Sequence, residues 1–386
     1  MVRRHGRKRL GMEGFVQSKQ MLPPAVAAAY PPAHIRTRRY FLIALLAATG
    51  VPIAFFILLA PSLETRPAIV GMKTLFLFLG TAHVPATLYF YTDKEFSKII
   101  RNHRARYIYV PLFLTVATGL LFATLSLSGQ AFLLLVYWGW QAFHYGRQNI
   151  GIYSFASIAE TGKSPHAAER LAIDLGTVLG IAGTFKVLAV SVSPDYLRST
   201  IDLFYQAGYL TFFGVLGFSI IVYLKFFRDT TVFKTVFYFA SVLFFYPIFI
   251  STSMNVGFFT YAMAHGLQYL VFMAIVSANG GAETVRGNKV SYRNLVILSL
   301  LVLIVGFAFW RVGDLRQMPM LSSNRAYAFL ADFLFGAVLG ATMSHFVVDA
   351  SAWKLRMAPQ RAYISKRFDF IFNKNRDAMG EGVRGT

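Results

Sequence analysis

The chain has 386 residues, 56% of them hydrophobic and 14% charged, with a mean hydropathy of +0.51, where a soluble globular protein carries roughly 25% charged residues. Its formal charge of +21 lies in loops and tails between apolar runs, not on one soluble face, and this excludes a nucleic-acid-binding reading. Cysteine is absent, so disulfides, thiolate metal sites and cysteine nucleophiles are excluded together.

Residues 1–38 form a basic arm. It is interrupted by Pro23, Pro24, Pro31 and Pro32 and has no apolar run before residue 39, so it reads as a cytoplasmic extension, not a cleaved signal peptide. Apolar segments follow at 39–60, 68–91, 107–127, 130–149, 171–193, 203–224, 231–250, 256–277, 292–311 and 326–349. Each is close to the ~20 residues that carry a helix across a bilayer. The fold expected is an all-α, polytopic transmembrane bundle of about ten spans filling residues 39–349, followed by a basic tail over 350–386. Lysines and arginines gather in the arm, in the tail and in loops 92–106, 150–170, 225–234 and 278–292, while 61–67, 128–130, 194–202 and 251–255 carry few. Loop 312–325, with Arg316 and Arg325, is the mild exception. The positive-inside rule then puts both termini in the cytoplasm, and a bacterial inner membrane is the expected location. Anionic lipids are the expected partners of basic elements such as RNHRARY and WKLRMAPQR.

Four histidines, His83, His144, His265 and His345, fall in four different apolar segments. An imidazole at membrane depth is costly unless paired, hydrogen-bonded or ligated. All four segments run in the same direction under this topology, and the four depths overlap, so the rings are able to meet at one centre. The neighbours suit such a centre. Gln141 and Gln148 share a helical face with His144, Asp349 lies one turn after His345, and Tyr261, Gln268 and Tyr269 flank His265 by a turn on either side. Asp349 and Gln148 are the expected orienting groups, because a ligating histidine needs its second nitrogen held. Tyr261 is expected beside them at the reacting centre, with Trp140, Tyr145 and Tyr269 lining a pocket. Pro85, two residues after His83, is expected to distort its helix.

Imidazole donors suit iron, zinc, copper or nickel. The leading expectation is a non-haem iron held by His83, His144, His265 and His345, acting with oxygen on an apolar lipid or isoprenoid, with a redox partner. Haem ligation through residues such as His144 and His265, a proton- or ion-coupled transporter, and simple interhelical hydrogen bonding stay open as alternatives. His5, His34, His103 and His166 read as solvated loop residues. Lys186 is a candidate partner for Asp332 within the membrane, and Asn255 a candidate cap for the helix that follows it. No GxxxxGK, GxGxxG, HExxH or GxSxG motif occurs, and Ser344 beside His345 cannot face it on a helix.

The segments WQAFHYGRQN and SHFVVDA, in an all-helical chain with several membrane-depth histidines, resemble the bacterial Brp/Blh type of carotenoid dioxygenase. The resemblance implies an integral membrane protein with histidine-held non-haem iron that cleaves a carotenoid with dioxygen. This chain has more apparent spans than that family and no close histidine pair on one helix, so the resemblance assigns no residue roles.

Overall fold

The computed structural model describes residues 33–63, 78, 80–192, 195–227, 231–251, 254–280, 290–315 and 324–372. Most of the basic arm, the last residues of the tail, and most of loops 61–67, 278–292 and 312–325 lie outside them. The described chain is all-helical and has no strand. Six helical stretches are long and apolar enough to cross a membrane: Thr37–Phe55, Ala105–Thr124, Leu197–Phe226, Val256–Ala278, Tyr292–Val312 and Arg325–Ala352. Six, among the described residues, is what length and composition support, against the ten expected.

The elements that matter are α1 (Ala33–Leu63), α2 (80–86), α3 (Val110–Thr124, entered through a π-helical turn over Ala105–Tyr109), α4 (Leu127–Thr161), α5 (Ala167–Val192) and α6 (Asp195–Phe226). They are followed by α7 (Val232–Val242), α8 (Met254–Ala278), α9 (Tyr292–Leu300, continuing through a π-helical stretch to Leu315), α10 (Arg325–Ala352) and α11 (Ala358–Arg367). Local chemistry sets several ends. The Ser126 side chain accepts from Gly129 N at the start of α4, and the Asn324 side chain accepts from Ala326 N at the start of α10. Gly162, at φ 71°, closes α4 in the left-handed conformation that a side chain disfavours.

Three expectations are corrected. The apolar run 231–250 is not one helix: it turns over Leu243–Tyr246 and restarts as the short helix Pro247–Ile250. Lys186 pairs with Asp202 on the adjoining α6, not with Asp332, because α5 and α6 are consecutive helices packed side by side. Helix α8 begins at Met254, so Asn255 lies inside its first turn and does not precede it.

The closest helix contact is α3 against α10. Gly336 and Gly340, spaced as a GxxxG, let the α10 backbone rest on Thr118, Gly119, Leu114 and Thr115 of α3. Gly146 likewise lets α4 approach Thr177 of α5.

The described part of the tail is not a free extension. Tyr363, Ile364, Phe368 and Ile371 are buried, and Phe368 packs among Phe41, Phe155 and Phe272. A buried ion pair pins this segment: Arg367 Nη2 donates to Asp93 Oδ2 at 2.8 Å, and the Tyr363 hydroxyl donates to the same oxygen at 3.1 Å. Burial first, and the Asp93 carboxylate second, hold the Tyr363 phenol well above its usual range, so it stays a donor.

Candidate metal centre

Helices α2, α4, α8 and α10 each supply one histidine, and the four rings close into a cycle. Centroids are 4.7 Å apart for His83 and His265, 5.0 Å for His265 and His144, 5.1 Å for His144 and His345, and 5.0 Å for His345 and His83. All four are buried, His265 completely. Ligating atoms of His83, His265 and His345 lie within 4.8 Å of one another, and so do those of His144, His345 and Asp349. His345 belongs to both groups. The convergence expected from overlapping depth is therefore the geometry found.

The nitrogens fit a bound cation on three counts. His83 Nε2 and His265 Nε2 are 3.2 Å apart, and two nitrogens on one tetrahedral ion with bonds of about 2.1 Å would lie about 3.4 Å apart. His144 Nε2 and His345 Nε2 are buried and have no hydrogen-bond partner among the described residues, a condition that costs roughly 1–3 kcal/mol per atom unless a ligand meets it. Asp349 brings a buried carboxylate whose Oδ1 lies 3.6 Å from His345 Nδ1. A buried carboxylate with no Lys or Arg beside it among the described residues calls for a cation or a proton.

The second nitrogen of His345 is held by a chain of hydroxyls. Thr87 Oγ1 is 2.5 Å from His345 Nδ1 and 2.7 Å from the Tyr269 hydroxyl, which donates to Asp349 Oδ1 at 2.7 Å. Protons can run in one direction: His345 Nδ1–H to Thr87, Thr87 O–H to Tyr269, Tyr269 O–H to the carboxylate. Every donor in that chain has an acceptor, and His345 Nε2 keeps a bare lone pair facing the cluster. A carboxylate reaching an imidazole in this way, here through two hydroxyls, is the kind of support that a ligating histidine uses.

Aromatic rings close the other sides. Phe346 stacks on His144 at 4.3 Å, Tyr145 lies 4.0 Å from His265, and Tyr269 sits 5.0 Å from His345. Trp140 reaches the site only through Phe346, at 6.1 Å.

The remaining expected residues sit farther from the rings. Gln148 donates to the His265 backbone carbonyl at 3.1 Å and to Gln268 Oε1 at 3.2 Å, and so steadies α8 through its backbone. Gln268 in turn donates to Thr49 Oγ1 on α1 at 2.7 Å. Gln141 donates to the Tyr145 hydroxyl at 2.5 Å. The Tyr261 hydroxyl turns away to Thr184 on α5, at 2.8 Å, and its ring packs against Phe245 and Phe258. Ser344 donates to the carbonyls of Gly340 and Pro111, not toward His345. His166 stacks on Phe226 and accepts from Ala168 N, a capping role at the start of α5.

Thr87 is the residue that sequence reasoning missed. Its signal is its place four residues after His83 and two after Pro85, where the helix is expected to distort. No family model, curated protein or solved structure matches the chain.

Proposed function

We propose that this chain is an integral-membrane enzyme in which His83, His144, His265 and His345 hold one non-haem metal ion, iron in the preferred reading. Its substrate would be an apolar lipid or isoprenoid drawn from the bilayer. The observation that carries the reading is the closed cycle of four buried imidazoles from four helices, with two Nε2 atoms unpartnered. Four nitrogen donors leave coordination positions open on an ion that accepts five or six, the condition that separates a catalytic site from a closed structural one. An iron ion in this place would supply the dioxygen chemistry.

The residues divide the remaining work. Asp349 acts through Tyr269 and Thr87 to fix the His345 tautomer and adds a negative charge near the ion. Gln148 holds the backbone of His265, and Phe346 and Tyr145 cover the rings and exclude water. Tyr261 supports the wall one turn away. A haem reading fits the cycle less well. Neighbouring rings only about 5 Å apart around the cycle leave little room between them for a macrocycle. The proposal includes ten crossings, both termini in the cytoplasm of a bacterium and a redox partner on that side, on the strength of the loop charges.

The test is elemental analysis with an absorption spectrum of detergent-purified protein. About one equivalent of a first-row metal per chain is expected, with no Soret band. His144→Ala and His345→Ala should each lose most of it. Full metal content in both variants sinks the assignment, and a strong Soret band replaces it with haem.

A further inference from the structure

The ends of α3 and α10 that lie nearest α11 carry three cations with no acid to match them. The turn after α10, closed by Met357 N donating to the Lys354 carbonyl at 2.9 Å, presents Lys354 and Arg356. Arg106, in the π-helical turn that opens α3, reaches across to it, with Nη1 3.7 Å from the Met357 sulfur. Among the described residues no carboxylate pairs with Arg106, Lys354 or Arg356, although the neighbouring Lys366 and Arg367 are both paired. The crowding is felt electrostatically: Arg356, then burial, then Arg106 hold the Lys354 ammonium below its usual range. Unmatched cations held this close favour an anion between them.

The placement identifies the anion. Ala105–Thr124 and Arg325–Ala352 are both candidate membrane spans, so the cluster sits where two packed spans leave the apolar layer. Directly beyond Arg106, the face of α3 that runs into the membrane exposes Ile108, Tyr109, Leu112, Phe113 and Val116. A headgroup phosphate set among the cations would lay its acyl chains along that stripe. We propose that Arg106, Lys354 and Arg356 form a binding site for one anionic phospholipid, bound through its phosphate at the interface and its chains against α3. The site does not depend on the metal centre.

The test uses the full chain purified in a non-ionic detergent and offered equal amounts of phosphatidylglycerol and phosphatidylcholine, with retained lipid read by native mass spectrometry. Each cation near an anionic membrane surface is expected to change affinity about fivefold. Phosphatidylglycerol should be retained over phosphatidylcholine, and Arg106→Gln and Lys354→Gln should each lower its retention about fivefold. Arg325→Gln, at the far end of α10, should leave it unchanged and shows that the charge count alone is not responsible. Excess inorganic phosphate should not displace the lipid, because it lacks the chains. Equal retention of the two lipids, unchanged retention in both cluster variants, or displacement by inorganic phosphate would each overturn the proposal.

Discussion

Gly340→Ala tests whether close approach of α3 and α10 is what sets His345 in place. A Cβ built at this position lies 2.4 Å from the Leu114 carbonyl oxygen and 2.7 Å from Thr115 Cα, where ordinary contact begins near 3.4 Å. Both neighbours are backbone, so neither can rotate aside, and the helices must part by about 1 Å, the difference of the two distances. Overpacking of this kind costs about 1–3 kcal/mol, set against about 1 kcal/mol gained by alanine as a helix former. The rigid contact puts the overpacking near the top of its range, for a net loss of about 1–2 kcal/mol. The shift also displaces His345 and Asp349, on the far side of α10 from Gly340, relative to His83 and His265, by more than the ~0.5 Å that a metal constellation tolerates. Thermal unfolding in detergent and metal content should therefore fall together. Gly217→Ala on α6, where an added Cβ meets nothing within 4 Å, should change neither. If Gly340→Ala unfolds with the wild type and keeps its metal, helix approach does not set the site.

Thr87→Val keeps the side-chain shape but removes the hydroxyl between His345 and Tyr269. Metal affinity measured by chelator competition should drop about 10–100-fold, and an unchanged affinity would remove Thr87 from the site. Tyr261→Phe should cost about 0.5–1.5 kcal/mol through the lost bond to Thr184 and leave metal content intact, as expected of a wall residue and not of a ligand support. Asp93→Ala removes the closer of the two carboxylates on the buried Arg367 and leaves Glu95 at 3.3 Å, and unfolding experiments should show a loss of about 1.5–3 kcal/mol. Lys366→Ala, which breaks only the partly exposed pair with Glu95, should cost under about 1 kcal/mol.

The meeting of the four histidine rings was legible because depth is legible. One histidine per apolar segment, at overlapping distances from the segment ends, already constrains four rings to one layer of the bundle. Asp349 was visible too, one turn after His345, although its link to that ring runs through Tyr269 and Thr87 on other segments. Partnerships between helices were not. Gln148 shares a helix face with His144, yet its amide reaches the His265 carbonyl on α8, and no spacing within α4 could reveal that. Lys186 was matched to Asp332 by depth alone, and only the packing of α5 on α6 shows Asp202 as its partner. The tail misled for another reason. Tyr363, Ile364, Phe368 and Ile371 lie among Arg361, Lys366 and Arg367 in a stretch too short and too basic to read as core, yet these four apolar side chains are buried. The GxxxG of Gly336 and Gly340 was present in the sequence throughout, but small residues report a close contact without naming the helix contacted.

The break in the helix after His83 explains why one threonine does so much. Pro85 has no amide hydrogen to continue the ladder. The chain tightens there, with Thr87 N donating to the Val84 carbonyl at 3.2 Å and Leu88 N to the Pro85 carbonyl at 2.9 Å, three residues back in each case. Helix α2 ends at residue 86 and helix resumes only at Tyr89. Between them Thr87 is released from the regular helix surface, and its hydroxyl meets α8 through Tyr269 and α10 through His345 and Asp349. His83 and the hydroxyl bonded to His345 thus come from one distorted segment, so the same turn places one ring of the cycle and contacts another. On this account the proline near the first histidine belongs to the site as much as the carboxylate near the last.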